Sequence, residues 1–316
     1  MKKYLAITGG VGGAKLALGL TKILSKSEVA FLVNTGDDFE HMGLSISPDL
    51  DTLMYTLSGL SNVELGWGRG GETWRCLDAY KKLGGDSWFS LGDEDLAVHL
   101  RRTELLKLGS SLSEVTADLF GHLGVHYSCW PMSDKPVRTQ IETEAGRLEF
   151  QHYFVRDRCE HVVKSIHFVS SSVAYPTHDL LRYLEDPDLC GIIVCPSNPF
   201  LSVDPILSVR GLKEALIGSK IPIVAISPLI NGQAVKGPTA KIMKELRLVL
   251  SPVSVAAHYK DFINGFILDE TDAGHAAEIT KSGMSVVTAQ TLMASLDDRI
   301  NLAQTAVNLC DELRGR

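Results

Sequence analysis

A run of glycines near the N-terminus has the composition of a phosphate-binding turn. Gly10, Gly12 and Gly13 follow a short apolar segment, and Lys15 comes two residues after the last of them. Glycine lets a backbone turn sharply and approach a phosphate, and the helix that follows offers free amides and partial positive charge. The alternative is a tight strand-to-helix turn that binds nothing. Lys15 comes too early for a P-loop and occupies the third glycine position of a dinucleotide fingerprint.

Aspartates in two later segments could form a cation site. Asp37 and Asp38 directly follow the second predicted strand, where ligands of open α/β sheets bind, and could hold a ribose or a hard cation. Asp49 and Asp51 open the next predicted helix, and a spacing of two keeps them off a common helix face. Mg²⁺ uses few protein carboxylates and keeps waters for substrate phosphates. We therefore predict a magnesium site among Asp37, Asp49 and Asp51, the alternative being that these segments only form turns and helix caps.

Aromatic residues are concentrated in glycine-rich loops after this helix. Three of the four tryptophans, Trp67, Trp74 and Trp88, fall within 22 positions, and Phe89 follows the last of them. Flat rings in such loops could stack on a planar heterocycle, which makes Trp67 and Trp88 candidate ligand contacts. Packing of the same rings between an insertion and the core remains the alternative interpretation.

Two loops in the second half of the chain also follow predicted strands. Ser197 and Asn198 lie in the first, and the second leads to Lys236, which precedes Gly-Pro. Ligands collect at the carboxyl ends of strands, so these polar, Gly/Pro-rich loops could hold the phosphate-bearing part of a substrate. A solvated lysine in a surface loop is the alternative for Lys236.

The apolar segments that must position these residues alternate with helical patterns at both ends of the chain. This order predicts a Rossmann-like α/β fold with a doubly wound, mostly parallel sheet. The predicted strands are 4–8, 29–33, 165–169, 191–195, 221–226, 265–268 and 284–287, and a helix over 14–24 and a final one over 289–313 are also predicted.

The middle of the chain differs, because helical patterns dominate it. Residues 50–60, 72–83, 94–108 and 112–123 are predicted helices, and residues 137–143 and 147–155 a β-hairpin. We predict one α/β domain over 1–316, with a largely helical insertion or cap, including the hairpin, at about 60–160.

Composition restricts the functional classes. The net charge of −7 argues against nucleic-acid binding, and the sequence lacks an apolar stretch of the ~20 residues that cross a membrane. The six cysteines lack zinc-site spacing, and the N-terminal apolar run is too short for a signal peptide. We expect a cytoplasmic protein that contacts neither nucleic acid nor membrane.

Taken together, the motifs resemble the 2-phospholactate transferase family of coenzyme F-420 biosynthesis, nearly end to end. The matching segments are 9–13, 34–38, 47–52, 91–93, 131–134, 196–199, 227–228 and 236–238. The resemblance implies a Rossmann-like core, a homodimer, and a Mg²⁺ site in which Mn²⁺ can substitute. It also points to Asp37 and Asp51 as metal or acceptor-site carboxylates with catalytic roles.

The substrates come from the same resemblance. It implies transfer of a phosphorylated three-carbon acid from a GMP-diphosphate carrier to the primary ribityl hydroxyl of 7,8-didemethyl-8-hydroxy-5-deazariboflavin, with release of GMP and formation of an F-420-0 type precursor. Deazaflavin contacts would then include Asp51, Trp67, Trp88 and Ser90, although some members carry Lys at the position of Ser90. Cys195 replaces the glycine that more often precedes the Pro-Ser-Asn-Pro segment.

Two other functions and the identity of the acid stay open at this point. A nucleotide-sugar-binding regulatory protein of the same superfamily is one alternative, and an NAD(P)-dependent oxidoreductase is the other. Phospholactate, phosphoenolpyruvate and phosphoglycerate differ by one small group, which a pocket discriminates weakly unless a polar group is dedicated to it.

Overall fold

A parallel sheet of seven strands forms the centre of the computed structural model, which describes residues 1–64, 66–235 and 237–315. The strands are β1 (Lys3–Thr8), β2 (Val29–Val33), β3 (Phe39–His41), β4 (Leu44–Ile46), β5 (Ser128–Pro131), β6 (Arg138–Thr143), β7 (Gly146–Glu149), β8 (Val163–Val169), β9 (Leu189–Val194), β10 (Ile223–Ile226), β11 (Leu229–Ile230), β12 (Gln233–Ala234), β13 (Gly265–Asp269) and β14 (Ser285–Ala289).

Helices cover both faces of this sheet. They are α1 (Gly10–Ile23), α2 (Pro48–Ser58), α3 (Arg75–Lys82), α4 (Asp93–Lys107), α5 (Leu112–His122), α6 (His178–Leu184), α7 (Asp204–Ser208), α8 (Leu212–Gly218), α9 (Thr239–Glu245), α10 (Pro252–His258), α11 (Ala276–Lys281) and α12 (Leu296–Arg314). Short π-helices span His152–Arg156 and Pro199–Val203, and 3₁₀ turns span Ser171–Val173 and Glu270–His275.

The strand order confirms the predicted doubly wound topology. The strands run β14-β13-β10-β9-β1-β2-β5, and every neighbouring pair is parallel. The order reverses between β1 and β9, and ligands of such sheets bind beyond the carboxyl ends of the strands at this switch point. Residues of β1, β2, β9, β10 and β13 are almost all buried, as expected for strands that helices cover on both faces.

One strand was not predicted, and one predicted strand has different partners from those expected. Residues 128–131 were placed in the insertion, but they form β5, the edge strand beside β2. Residues 165–169 were placed in the central sheet, but β8 pairs antiparallel with β6 in a separate three-stranded sheet with β7. Apolar periodicity indicates that a strand exists, but it does not choose the strand's partner.

Three element boundaries also differ from the prediction. Helix α1 begins at Gly10, so the glycine run forms its first turn and does not precede it. The second hairpin strand stops at Glu149, and a π-helix follows over His152–Arg156. Helix α12 begins at Leu296, where Ser295 and Asp298 form a capping box, and the residues before it form a loop.

In the described part of the chain, no helix is both long enough and apolar enough to cross a membrane. Division of the chain into one domain with a cap at about 60–160 stays a prediction. The helices α2 to α5 nevertheless lie together in sequence between β2 and β5, and they supply much of the site described next.

Candidate active site

A cleft of about 550 Å³ opens at the switch point of the sheet. Three groups of residues line it, and each comes from a different part of the fold. Gly9, Gly10, Gly12, Lys15, Asp37 and Asp49 come from the ends of β1 and β2 and the starts of α1 and α2. Asp51, Tyr55, Trp67, Phe89, Ser90, Asp95, His99, Phe150 and Phe154 come from residues 51–154. Pro196, Ser197, Asn198, Ser227, Pro228, Thr291 and Met293 come from the loops after β9, β10 and β14.

The glycine turn serves two purposes. Gly10 has φ of 64°, in the left-handed region that favours glycine. A Cβ at Gly12 would lie 2.4 Å from the carbonyl oxygen of Pro196, so only glycine lets these two backbone segments approach. Gly13 does not line the cleft, and a Cβ there would lie 2.2 Å from Oγ1 of Thr8. Its absent side chain permits helix packing, so the predicted phosphate contact from Gly13 is not supported.

The two predicted polar loop residues line the cleft, but their side chains also have structural partners. Ser197 Oγ donates to the carbonyl of Gly9 at 2.8 Å, which joins the loop after β9 to the glycine turn. Asn198 Oδ1 accepts hydrogen bonds from the amides of Phe200 and Leu201 and so caps the π-helix. A contact with a donor substrate must therefore use atoms other than the hydroxyl proton of Ser197 and Oδ1 of Asn198.

The two predicted lysines differ in what the structure describes. Lys15 lines the cleft, and its ammonium donates to the carbonyl of Met293 at 3.1 Å. The positive charge therefore lies between the glycine turn and the loop after β14. Lys236 lies outside the described residues, so its phosphate contact stays a prediction.

Asn34 holds the carboxylates at the end of β2 and the start of α2. Its Nδ2 donates to Oδ2 of Asp49 at 2.9 Å, and the backbone amide of Gly10 also donates to Asp49. Asp37 is buried as well, and its Oδ1 has no hydrogen-bond partner among the described residues. A buried carboxylate oxygen without a donor is costly, and a cation is the usual remedy.

Burial also changes the pKa values of these aspartates. Burial, and then the charge of Asp49, raise the pKa of Asp37 well above its usual range. Burial raises the pKa of Asp49 to about 6, against the hydrogen bonds from Asn34 and Gly10. Burial also raises the pKa of Asp38 to about 7, although Ser47 donates to it. The region favours either protons or a metal ion.

The pair Asp37 and Asp49 fits a cation that takes few protein ligands. Among the residues that the structure describes, no group of three or more His, Cys, Asp or Glu side chains could hold a metal by itself. Mg²⁺ characteristically uses one or two carboxylates and completes its shell with waters and substrate phosphates. The unpartnered oxygen of Asp37 fits this mode of binding and supplies no support for zinc.

Asp51 has a different environment from the one expected of a metal ligand. Arg102 forms a bidentate ion pair with it: NH2 pairs with Oδ1, and NH1 donates to Oδ2 at 3.2 Å. Residues two apart on a helix point about 200° apart, so Asp49 faces the sheet while Asp51 faces α4. The ion pair satisfies Asp51 and speaks against its predicted metal role, although Asp51 still lines the cleft.

The polar face of α4 was not predicted from the sequence. Asp95 and His99 line the cleft, and Arg102 lies behind Asp51. Their spacing of four and three residues places all three on one helix face, a signal that was available in the sequence. His99 alone gives no signal of a site, because a lone histidine usually packs or faces solvent.

The aromatic rim differs in part from the predicted cluster. Trp67 is 51% exposed and lines the cleft together with Ser90. The rings of Phe150 and Phe154 also line it and stack at 5.3 Å with an interplanar angle of 10°. Their segment was predicted as strand and not as site.

Trp88 is not among the residues that line the cleft. Its ring packs against His152 at 4.7 Å, His41 at 5.2 Å, Phe39 at 5.8 Å and Phe89 at 5.7 Å. The packing interpretation therefore fits Trp88, and the ligand interpretation fits Trp67. Trp88 supports Phe89, which does reach the cleft.

Comparisons with known proteins indicate one family. Residues 5–304 match the sequence model of the family described as 2-phospho-L-lactate transferase CofD. A phosphoenolpyruvate transferase of Kitasatospora aureofaciens is 35% identical over 319 residues, covering 99% of each chain. A 2-phospho-L-lactate transferase of Methanospirillum hungatei JF-1 is 38% identical over 266 residues, covering 84% of this chain and 88% of the relative. Another, from Methanosarcina acetivorans, is 34% identical over 307 residues, covering 97% and 99%.

A solved structure shares the fold. It is BH3568 of Bacillus halodurans, a member of the UPF0052 family, with a TM-score of 0.62 and 14% sequence identity. The match covers 97% of this chain and 99% of that one. At this identity the likeness shows the fold alone.

The buried charge at Asp37 predicts a pH-dependent stability of the metal-free protein. Its pKa is raised on folding, so its stabilising contribution is full below the unfolded value of about 3.9 and is lost as the pH rises through the folded value. Asp37→Asn removes this carboxylate. In EDTA at pH 7.5 we expect Asp37→Asn to have a higher Tm than the wild type, and the difference to shrink towards pH 5. The exposed Asp261→Asn serves as control, and a Tm for Asp37→Asn at or below that of the wild type at pH 7.5 would contradict the assignment.

Proposed function

The chain belongs to the CofD family of 2-phospho-L-lactate transferases, and from that premise we propose its substrates and the residues that bind them. The protein is a transferase of phosphorylated acids in F-420 biosynthesis. We propose that it moves a phosphorylated three-carbon acid from a GMP-diphosphate carrier to the primary hydroxyl of 7,8-didemethyl-8-hydroxy-5-deazariboflavin. GMP leaves, and an F-420-0 type precursor forms.

One observation carries this proposal. A single cleft joins a rim of exposed or stacked aromatic rings to a floor that contains the buried pair Asp37 and Asp49. The rim suits a flat heterocycle, and the floor suits a cation with a diphosphate. The proposed reaction joins a deazaflavin acceptor to a diphosphate donor, so it needs these two environments next to each other.

The donor would lie along the core side of the cleft. The first turn of α1 and Lys15 line this side, and a helix N-terminus and an ammonium both favour negative charge. The loops that contain Ser197, Asn198 and Thr291 would surround the GMP portion. Phosphoryl-type transfer depends on positioning and charge neutralisation more than on a covalent intermediate, and these groups supply both.

Mg²⁺, with Mn²⁺ as a substitute, would be held by Asp37 and Asp49. When bound, the ion supplies positive charge that neutralises the diphosphate. Asn34 and the amide of Gly10 orient Asp49 for this purpose, and Asp37 offers the oxygen that has no protein donor among the described residues.

The acceptor would lie against the aromatic rim. Trp67, Phe150 and Phe154 offer faces to the deazaflavin ring, and Ser90 lies on the same side. Asp51, at the boundary between rim and floor, would meet the ribityl chain. Homodimeric assembly stays a prediction of the resemblance.

The comparisons favour this function over the two alternatives. The matched relatives bear transferase names over nearly the whole chain, whereas a nucleotide-sugar-binding regulator would not need a cation pair beside an aromatic rim. An NAD(P)-dependent oxidoreductase is disfavoured by Lys15 at the third glycine position.

Product mass tests the proposed function and identifies the acid. Relatives named for phosphoenolpyruvate and for 2-phospho-L-lactate match at similar identity, so the acid must be measured. We expect the purified protein with the deazaflavin alcohol and Mg²⁺ to form a phosphodiester product from at least one of the three guanylylated donors, with GMP released in equal amount. Absence of product from all three would refute the function.

The aromatic rim predicts a difference between two tryptophans. Trp67→Leu should weaken binding of the deazaflavin alcohol by about tenfold, because base-type stacking on an aromatic side chain is worth roughly 1–3 kcal/mol. Trp88→Leu, at a ring that does not line the cleft, should have a smaller effect. Fluorescence titration of the deazaflavin measures both affinities. Equal losses, or a greater loss for Trp88→Leu, would restore the sequence-based assignment.

The metal site predicts a second contrast, between two aspartates of α2. Asp49→Asn should weaken Mn²⁺ binding in the presence of GDP by roughly tenfold or more, whereas Asp51→Asn should change it by less than about threefold, because Arg102 already occupies both oxygens of Asp51. The electron paramagnetic resonance signal of free Mn²⁺ reports the affinity without turnover. An equal loss in Asp51→Asn would show that Asp51 does coordinate the metal.

A further inference from the structure

A continuous row of polar side chains lies between the aromatic rim and the floor of the cleft. It consists of Tyr55, Asp95, His99, Arg102 and Asp51, which we call the α4 polar row. Tyr55, Asp95, His99 and Asp51 line the cleft, and Arg102, only 2% exposed, lies behind it. The donor and acceptor of each contact in this row can be assigned, and the assignment has a functional consequence.

The first assignment starts from Arg102, which can only donate. One of its NH groups, on NH1, lies 2.9 Å from Nδ1 of His99. Nδ1 must therefore accept, and the proton of the neutral imidazole must be on Nε2. That nitrogen faces Oδ1 of Asp95 at 3.3 Å, without the alignment of a hydrogen bond. The position of a single guanidinium thus determines the tautomer of the histidine.

The second assignment concerns the far end of the row. The hydroxyl of Tyr55 donates to Oδ1 of Asp95 at 2.5 Å. Burial, and then the charges of Asp51 and Asp95, raise the pKa of Tyr55, so that it keeps its proton. Burial acts to raise the pKa of Asp95, but the contacts with His99 and Tyr55 outweigh it and lower that pKa, so Asp95 is an ionised acceptor.

Arg102 has three partners, one of which is the carbonyl of Ser45, at 3.4 Å from NH1. It pairs with both oxygens of Asp51, and NH1 also donates to His99. Burial lowers the pKa of Arg102, but the charge of Asp51 outweighs this effect and keeps the guanidinium cationic. A planar guanidinium that is held at two sides has one orientation, and it imposes that orientation on the carboxylate.

We propose that His99 and Arg102 are positioning residues for acceptor binding: Nδ1 of His99 orients Arg102, and Arg102 presents the Asp51 carboxylate to the hydroxyl-bearing chain of the acceptor. This inference rests on the proposed function. Each carboxylate oxygen accepts one bond from Arg102 and keeps a further lone pair that can face the cleft. His99 acts as an acceptor towards Arg102 and does not act as a base, because its basic nitrogen is already occupied.

Two amide substitutions of the same residue test the proposal. The carbonyl oxygen of Asn reaches the place of Nδ1, so His99→Asn keeps the acceptor for Arg102 and loses the N–H group that faces Asp95. The amide of Gln reaches the place of Nε2, so His99→Gln keeps an N–H group there and leaves Arg102 without this acceptor. Both variants are neutral and polar, and they differ in the nitrogen that they replace.

We expect His99→Gln to bind the deazaflavin alcohol about tenfold more weakly than the wild type, the order expected when a buried donor loses its acceptor. His99→Asn should stay within about threefold, and GDP affinity should be unchanged in both. Equal acceptor affinity in the two variants, or a greater loss in His99→Asn, would overturn the inference. A wild type that does not bind the deazaflavin alcohol would overturn the proposed function and this inference with it.

A measurement on the wild type tests the tautomer directly, and a variant serves only to assign the signals. Nitrogen NMR of protein with ¹⁵N-labelled histidine should show an unprotonated Nδ1 and a protonated Nε2 for His99 at pH 7.5, with the signals assigned by their absence from the His99→Asn spectrum. If that variant does not fold, absence from His99→Gln makes the assignment. A protonated Nδ1 would overturn the proposed role, because Arg102 would then have no acceptor there.

Discussion

The site depends on one constraint, which is the burial of four aspartates near the carboxyl ends of the parallel strands. Asp37, Asp38, Asp49 and Asp51 are each less than 10% exposed. A buried carboxylate must be paired, hydrogen-bonded, protonated or bound to a cation, because its desolvation is otherwise too costly. The protein solves this problem for Asp51 with Arg102. It leaves the problem only partly solved at Asp37 and Asp49, which is where a substrate and its ion can contribute.

These two solutions come from different parts of the fold. Asn34 and Gly10 hold Asp49. Asn34 directly follows β2 and Gly10 begins α1 just after β1, so the sheet positions both. Arg102, which holds Asp51, belongs to α4, far along the chain. The floor of the cleft is thus set by the core, whereas its boundary with the aromatic rim is set by the packing of α2 against α4. A change in the latter can alter acceptor binding while the donor side keeps its geometry.

The sequence made some of this predictable and not the rest. The central strands are apolar runs followed by glycines and aspartates, so the sheet class and the positions of Asp37 and Asp49 could be predicted. The pairing of Asp51 with Arg102 could not, because the two residues are distant in sequence and each is also plausible alone. Composition could not separate Trp67 from Trp88, because it counts rings and does not show which of them line the cleft. The stacked pair Phe150 and Phe154 was not predicted as site because the alternation of residues 147–155 indicated a strand, whereas Phe150 precedes a π-helix that contains Phe154.

The position of β5 has a consequence for how the chain folds. β2 ends at Val33 and β5 begins at Ser128, yet the two strands are hydrogen-bonded neighbours. Joining them closes a long loop, whose entropy cost grows slowly with length but whose distant contacts slow folding. During translation β2 leaves the ribosome well before β5. One edge of the apolar strand β2 therefore stays unpaired while α2 to α5 are synthesised. Such an unpaired edge can pair with a strand of another chain. The helices α2 to α5, which shape the acceptor side of the cleft, therefore also determine how long β2 stays unpaired during synthesis.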